Sequence, residues 1–505
     1  MLISNGAILA LGKEDAYPQL AGRSAEKIDL NGRHVLPAFT DAHTHLIMSA
    51  LNFYGVDLRP ARSLKSALNI LQAHTSSIKK NEWVLGFGFN RNLWDDGQPT
   101  RHDLDRIFPK NPVLLDSIDY HTIWVNSRTL HLSGINQNTP DPPGGKIDRE
   151  ADHQPKGLLS EEAVALIKNI LPDFNRQQKK RAVLKLIKQL HAKGISAVHT
   201  MEGVDEYKLL KDLDQNDKLK LRVHFYIPHR EMDWLIRQKW HSGSGSDWLR
   251  IGGIKVFADG SLGSQTAEMR TPYENDADNL GIAHLSEEDL LNIISKGAEN
   301  GLSPAVHAIG DRAVQKVLNV FEQIQSWRAQ WNLILRMEHA QLVPPESVSL
   351  FKQFGVIASM QPIHIADDVR IAEKFWGKRS AYAYAMKPLL QAGAELAFGS
   401  DTPVADFDPI KGIYSAVNRR YHLDPRQPRW QPQLAISTEQ AIRAYIIGGA
   451  KATNDLHRRG TLTPGKVADF IVLNKDPFSL KNDEILSLKV LQTFINGEIV
   501  YQKTT

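Results

Sequence analysis

The sequence predicts an α/β protein built on a (β/α)8 TIM barrel. A small β-sandwich subdomain made from both chain ends and an α/β insertion after the first barrel strand complete it. Three observations predict this. Eight short apolar runs end at turn residues, amphipathic stretches with helical spacing separate them, and the two chain ends share a β-like, polar-punctuated pattern. Alternating strands and helices imply a parallel sheet, and eight such units close most simply into a barrel. An open doubly wound sheet is the runner-up, but no Gly-rich phosphate fingerprint follows an early strand.

The eight runs are "HVLPAFTDAH" (34–43), "GISAVHT" (194–200), "LKLRVHFYIP" (219–228), "LRIGGIKVFADG" (249–260), "GLSPAVHAIG" (301–310), "LILRMEHA" (333–340), "GVIASMQP" (355–362) and "AELAFGSD" (394–401). Among the stretches between them, residues 176–193 repeat apolar side chains every three or four positions, as a helix facing a core does. Residues 286–300 open on Ser286 with acids in the first turn, the pattern of a capped helix, and 311–327 reads as another.

Two regions fall outside the count. Residues 51–179 are far too many for one βα loop. They carry strand-like runs of their own at 82–89 and 112–118 and a Pro/Gly-rich passage at 139–157. They are expected to form an inserted α/β subdomain covering the active site. The ends, 1–36 and 458–505, are expected to pair into the small β-subdomain, leaving 37–50 and 180–457 for the barrel. "SGSGSD" (242–247) reads as a flexible loop.

Composition narrows the class. The chain of 505 residues has Lys+Arg 61 against Asp+Glu 57, a balance without a basic block for nucleic acid or a membrane surface. There are no cysteines, which excludes disulfides, thiolate metal sites and a cysteine nucleophile. The first residues lack a basic n-region, and no segment reaches the roughly 18 apolar residues of a membrane span. A cytoplasmic protein acting on a small molecule is expected, with homo-oligomerisation left open.

Barrel enzymes place their chemistry where the strands end. The first run ends in "DAHTHL", where alternation points His43 and His45 to one side. The fourth carries Lys255, the fifth His307, the sixth His339 and the eighth Asp401. Each has an ordinary structural alternative: a satisfied histidine, a capping aspartate, an ion-paired or Schiff-base lysine. Independent structural roles would scatter such residues along the strands, whereas these stand almost all at one end. Imidazole and carboxylate suit Zn2+, and also Mn2+, Fe2+ or Co2+. Four histidines and a carboxylate exceed the three protein ligands of a typical mononuclear zinc site, which points to two ions and a bridging anion. An amine cannot bridge. A buried, unprotonated lysine that has taken up CO2 becomes a carbamate and can.

The motifs "LPAFTDAHTHL", "GGIKVFADGSLGSQTA", "PAVHAIGDRAV", "LRMEHAQLV", "LAFGSDTPV" and "GKVADFIVLN", with "HTIWVNSRTL" inside the insertion, resemble the amidohydrolase superfamily over nearly the whole chain. The likeness is greatest to its family 3 branch, the YtcJ-like metal-dependent hydrolases, which includes N-substituted formamide deformylase. The resemblance implies that His43, His45 and Asp401 hold one metal and His307 and His339 a second, and two Zn2+ per chain are expected there. It further implies that carboxylated Lys255 bridges them, that a hydroxide between the metals is the nucleophile, and that Asp401 carries its proton to the leaving nitrogen.

His121, Trp124, Asp259, Arg312 and His364 are the residues expected to touch substrate, being polar or amphipathic and near motif positions. Most insertion aromatics, Trp83, Phe87 and Phe89 among them, are expected to form its own core. The expected reaction is hydrolysis of an amide-like C–N bond bearing an apolar or aromatic N-substituent. Lactone or ester cleavage is the alternative. Deamination is disfavoured because no glutamate follows His307 in "AIGDRAV", and a non-catalytic scaffold because none of the six donors is missing.

Overall fold

The computed structural model describes residues 1–13 and 26–504. Its central sheet holds eight parallel strands in chain order: β1 (Phe39–Thr44), β2 (Ile195–Met201), β3 (Arg222–Pro228), β4 (Leu249–Phe257), β5 (Pro304–Ala308), β6 (Leu335–His339), β7 (Val356–Met360) and β8 (Glu395–Phe398). Each overlaps one of the eight apolar runs. The edges β8 and β1 meet at the mouth, where Asp401 N donates to His43 O (2.8 Å) and His45 N to Thr402 O (2.8 Å). Gly399 permits this approach, since a Cβ there would lie 2.4 Å from His43 N.

Period-two alternation explains β4. Ile254 and Val256 are fully buried on the outer face, and Ile254 lies where a Cβ at Gly297 of the helix Glu287–Glu299 would meet it. Lys255 and Phe257 line the cavity at the mouth. That helix starts as its sequence suggests, with Ser286 accepting from Asp289 N. Asn175 caps Arg176–Ala192 with a full capping box through Gln178.

Three readings of the sequence need correction. The run 34–43 serves two sheets: His34–Pro37 pairs with Phe470–Leu473, and only Phe39–Thr44 enters the barrel. The stretch 311–327 is two helices, Asp311–Gln323 and Gln325–Trp331, because Ile324 leaves helical geometry between them. "SGSGSD" folds back along the start of β4, with Gly243 N donating to Ile251 O and Ile251 N to Ser244 O.

The terminal segments form a four-stranded antiparallel sheet, Glu498–Gln502, Val490–Ile495, Phe470–Leu473 and His34–Pro37, beside a hairpin of Leu2–Ser4 and Ala7–Ala10. Ile8, Phe470, Val472 and Phe494 fill the space between them. The insertion holds a six-stranded sheet in the order Val56–Asp57, Val84–Phe89, Val113–Ser117, Thr122–Val125, Pro155–Glu161, Gly145–Arg149. Its last two strands both begin within the Pro/Gly-rich passage and pair as a hairpin, and the turn between them, 150–154, holds neither proline nor glycine. No described helix is long and apolar enough to cross a membrane.

One buried pair ties the terminal sheet to the barrel floor. Arg222, at the start of β3, donates to Asp469 through Nε (2.6 Å) and Nη2 (3.0 Å), and Asp469 also accepts from Asn496 N. Breaking such a pair leaves a charge buried without a partner. Asp469→Asn is therefore expected to lower the unfolding free energy by about 3–5 kcal/mol, read as a lower denaturation midpoint with unchanged metal content. A midpoint equal to wild type would show that the pair contributes nothing net.

Candidate metal centre and cavity

Six predicted donors meet at the C-terminal mouth of the barrel. His43, His45, Lys255, His307, His339 and Asp401 all line one cavity of about 290 Å³. His43, His45 and Asp401 offer ligand atoms that lie within 4.8 Å of one another. Asp401 Oδ1 stands 3.4 Å from His43 Nε2 and 3.3 Å from His45 Nε2. The His339 ring lies 4.8 Å from His43 and 4.5 Å from His307, centroid to centroid.

Each imidazole has one nitrogen engaged away from this centre. His43 Nδ1 lies 2.6 Å from Glu338 Oε2, His45 Nδ1 3.0 Å from Met201 O, and His339 Nδ1 2.8 Å from Gln361 Oε1. His307 uses Nε2, 3.0 Å from Gly260 O, which leaves Nδ1. A ring N–H donated to such an acceptor fixes the tautomer and leaves a lone pair on the other nitrogen, the form a metal needs. Burial, reinforced by Lys255 and neighbouring rings, keeps His307 and His339 neutral, with pKa values well below the ordinary one.

Two of the six predicted donors present a buried polar atom without a hydrogen bond: Lys255 Nζ and Asp401 Oδ1. Orphaned polar atoms at the focus of four imidazoles fit a site for divalent ions. Burial lowers the Lys255 pKa to about 8, against the opposing pull of Glu338 and Asp401. An amine so placed is held toward its unprotonated form. Burial would raise the Asp401 pKa, but His43 and His45 hold it well below the carboxylate range.

Backbone strain marks two of the donors. His339 has φ 71° and Asp401 φ 60°, left-handed values that non-glycine residues avoid. These turns re-aim side chains that simple alternation would send elsewhere.

The residues expected to touch substrate divide. His121 and His364 line the cavity. Trp124 does not: it is fully buried in the insertion core against Phe89 and Trp94, its Nε1 donating to Thr100 O. Asp259 is wholly buried beneath the mouth and accepts from Glu268 N, Ile309 N and Gly310 N, so it shapes the loops around His307. Burial pushes its pKa up to about 7 despite those bonds. Arg312 is exposed and pairs with Glu268 outside the cavity. Position near a motif does not give side-chain direction, which explains all three misplacements. Of Trp83, Phe87 and Phe89, Phe89 alone also reaches the cavity.

The sequence reading passed over Glu338 and Glu161. Glu338 is fully buried, bonded to His43 Nδ1 and to Arg336 Nε (2.8 Å). Burial would raise its pKa, but Arg336 and His43 bring it to about 2. Two opposite charges at i and i+2 within "LRMEHA", a strand that a barrel must bury, were the available signal. Glu161 faces His121 at 2.9 Å.

Fold and donors together define a class, the barrel proteins with a metal-binding mouth. The chain belongs to the amidohydrolase family, whose pattern matches residues 26–501. It is 33% identical over 512 residues to the putative amidohydrolase YtcJ of Bacillus subtilis, covering 99% of this chain and 96% of the relative. It is 26% identical to the N-substituted formamide deformylase of Arthrobacter pascens, covering 100% of this chain and 95% of that one. Among solved structures, an uncharacterized metal-dependent hydrolase from Pyrococcus horikoshii aligns with a TM-score of 0.78 and 28% identity, over 95% of this chain and 94% of that one. The protein is thus a hydrolase of the metal-dependent amidohydrolase family.

Loss of an outer partner of a ligating histidine costs about 10–100-fold in metal affinity. Glu338→Gln is expected to weaken metal retention by that factor in equilibrium dialysis. Retention equal to wild type would remove Glu338 from the support of His43.

Proposed function

We propose that the protein hydrolyses an amide-like C–N bond in a small substrate whose nitrogen carries an apolar or aromatic group. One observation carries this reading: six donors from five strands converge on a cavity in which Lys255 Nζ and Asp401 Oδ1 have no hydrogen bond. The likeness to N-substituted formamide deformylase supports the bond type. Apolar side chains in the same cavity, Met48, Phe89, Ile118, Phe257, Leu262 and Ile371, support the N-substituent.

His43, His45 and Asp401 would hold one ion, His307 and His339 a second, and Lys255 as its carbamate would join them. Bound divalent ions, Zn2+ or else Mn2+, Fe2+ or Co2+, supply Lewis acidity to the carbonyl and bring the pKa of water toward neutrality. Asp401, ionised and within the donor cluster, accepts the proton of the attacking water and returns it to the leaving nitrogen. Glu338, Gln361, Met201 O and Gly260 O keep the four rings oriented throughout.

Two sets of measurements test the parts, one on the metal bridge and one on the substrate and Asp401. Metal analysis with intact mass under mild conditions is expected to give two equivalents and a mass gain of one CO2. Lys255→Ala should lose the mass gain and recover activity with added short carboxylates. One equivalent with unmodified Lys255 would overturn the bridge. A panel of amides should show turnover favouring N-benzyl or N-alkyl formamides, and Asp401→Asn should reduce kcat by about 10²–10⁴. Turnover confined to highly charged acyl-amino acids would overturn the substrate class.

A further inference from the structure

His121 comes from the insertion, yet its ring lies 6.1 Å from that of His307, centroid to centroid, at the barrel mouth. Its Nδ1 lies 3.0 and 2.9 Å from the two oxygens of Glu161. The Glu161 side chain is 4% exposed and that of His121 17%. A buried carboxylate holding Nδ1–H leaves Nε2 for the cavity that His121 lines.

The pair is held on both sides. Glu161 N donates to His121 O (2.9 Å), closing the two strand ends on each other. Thr266 Oγ1, from the loop after β4, donates to Glu161 Oε1 (2.5 Å). Asp119, two residues before His121, accepts from Ser261 Oγ (2.9 Å) and Ser264 Oγ (3.1 Å) of the same loop. Gly260 admits the contact, since a Cβ there would meet Thr266 Oγ1 at 2.2 Å and Glu161 Oε1 at 3.0 Å. Backbone strain accompanies the arrangement: Tyr120 has φ 61°, and Glu161 has φ 54°, ψ −130°. A histidine that merely faced water would not need this scaffold.

We propose that His121, positioned by Glu161, is a further catalytic residue of this site, donating a hydrogen bond from Nε2 to the substrate oxygen that gains negative charge beside His307. The proposal rests on the hydrolytic reading above and adds a protein donor from the insertion to it. Around the ring stand Glu161 and Asp119 from the insertion, His284 from the loop after β4, His307 on β5, and Asp401 after β8. Burial opposes a charge on His121, but Glu161 and Asp119 outweigh it and raise the pKa to about 9. A fixed ring N–H donor at a developing oxyanion is worth about 10²–10³ in kcat. Glu161 is a positioning residue, acting through His121.

The experiment compares wild type, His121→Ala, His121→Gln, Glu161→Gln and the His121→Ala/Glu161→Gln double variant, each with metal content and denaturation midpoint measured. On whichever amide or lactone the enzyme turns over, His121→Ala should lose about 10²–10³ in kcat with little change in KM. The double variant should lose no more than the single one, because Glu161 acts through the same ring. Acetate, whose carboxylate presents the same kind of oxygen, supplies a readout that needs no substrate: by calorimetry it should bind His121→Ala about tenfold more weakly than wild type at equal metal content. The proposal is overturned by kcat within twofold of wild type in metal-loaded, folded His121→Ala and His121→Gln, or by unchanged acetate affinity. Weaker acetate binding without turnover of any amide would overturn the proposed reaction and leave the His121 donor standing.

Discussion

Arg336 is fully buried inside the barrel, and the mouth of the protein is arranged around the need to satisfy it. Its guanidinium reaches Glu338, Tyr226 OH, His199 Nδ1, Ala42 O and Ser359 Oγ. A buried guanidinium must be paired and bonded on every side. Glu338 supplies the compensating charge and passes its second oxygen to His43 Nδ1. The interior charge pair thereby sets the tautomer of a ring at the mouth. His199 is held neutral, since burial and then Arg336 lower its pKa well below the usual value, so it accepts from the guanidinium without adding a charge.

The insertion acts on the same mouth from outside. Its sheet is built on its own core, with Trp94 and Trp124 packed against Phe89. Asn126 locks that core by accepting from Thr129 N and donating to Phe108 O and Asn111 O. The strand ends near His121 and Glu161 reach the barrel through hydroxyls of the loop that follows Lys255, and Asn92 Nδ2 adds a bond to Gly263 O of that loop. Residues of one recognisable motif, "HTIWVNSRTL", thus divide between the cavity at His121 and internal packing at Trp124 and Asn126.

The barrel strands were legible because buried parallel strands are apolar along their length and end at turns. Donor chemistry was legible because histidine, lysine and aspartate stand out at the ends of such runs. Direction was not. Asp259 follows Lys255 by four residues and Arg312 follows His307 by five, yet one turns beneath the loops and the other to solvent. The left-handed backbone at His339 and Asp401 breaks alternation where it matters most, and nothing in the sequence announces it.

By itself the sequence determined the eight-unit barrel, the strands at both ends and the six candidate donors that share one cavity, because apolar periodicity and side-chain chemistry are local properties of the chain. Tertiary structure alone decided which nitrogen of each ring is free, that Glu338 stands behind His43, and that Glu161 stands behind His121. Those relations join residues far apart in the chain: Glu338 lies 295 positions from His43, and Thr266 lies 105 from Glu161. Pairing, strain and burial bring them together only when the sheet closes.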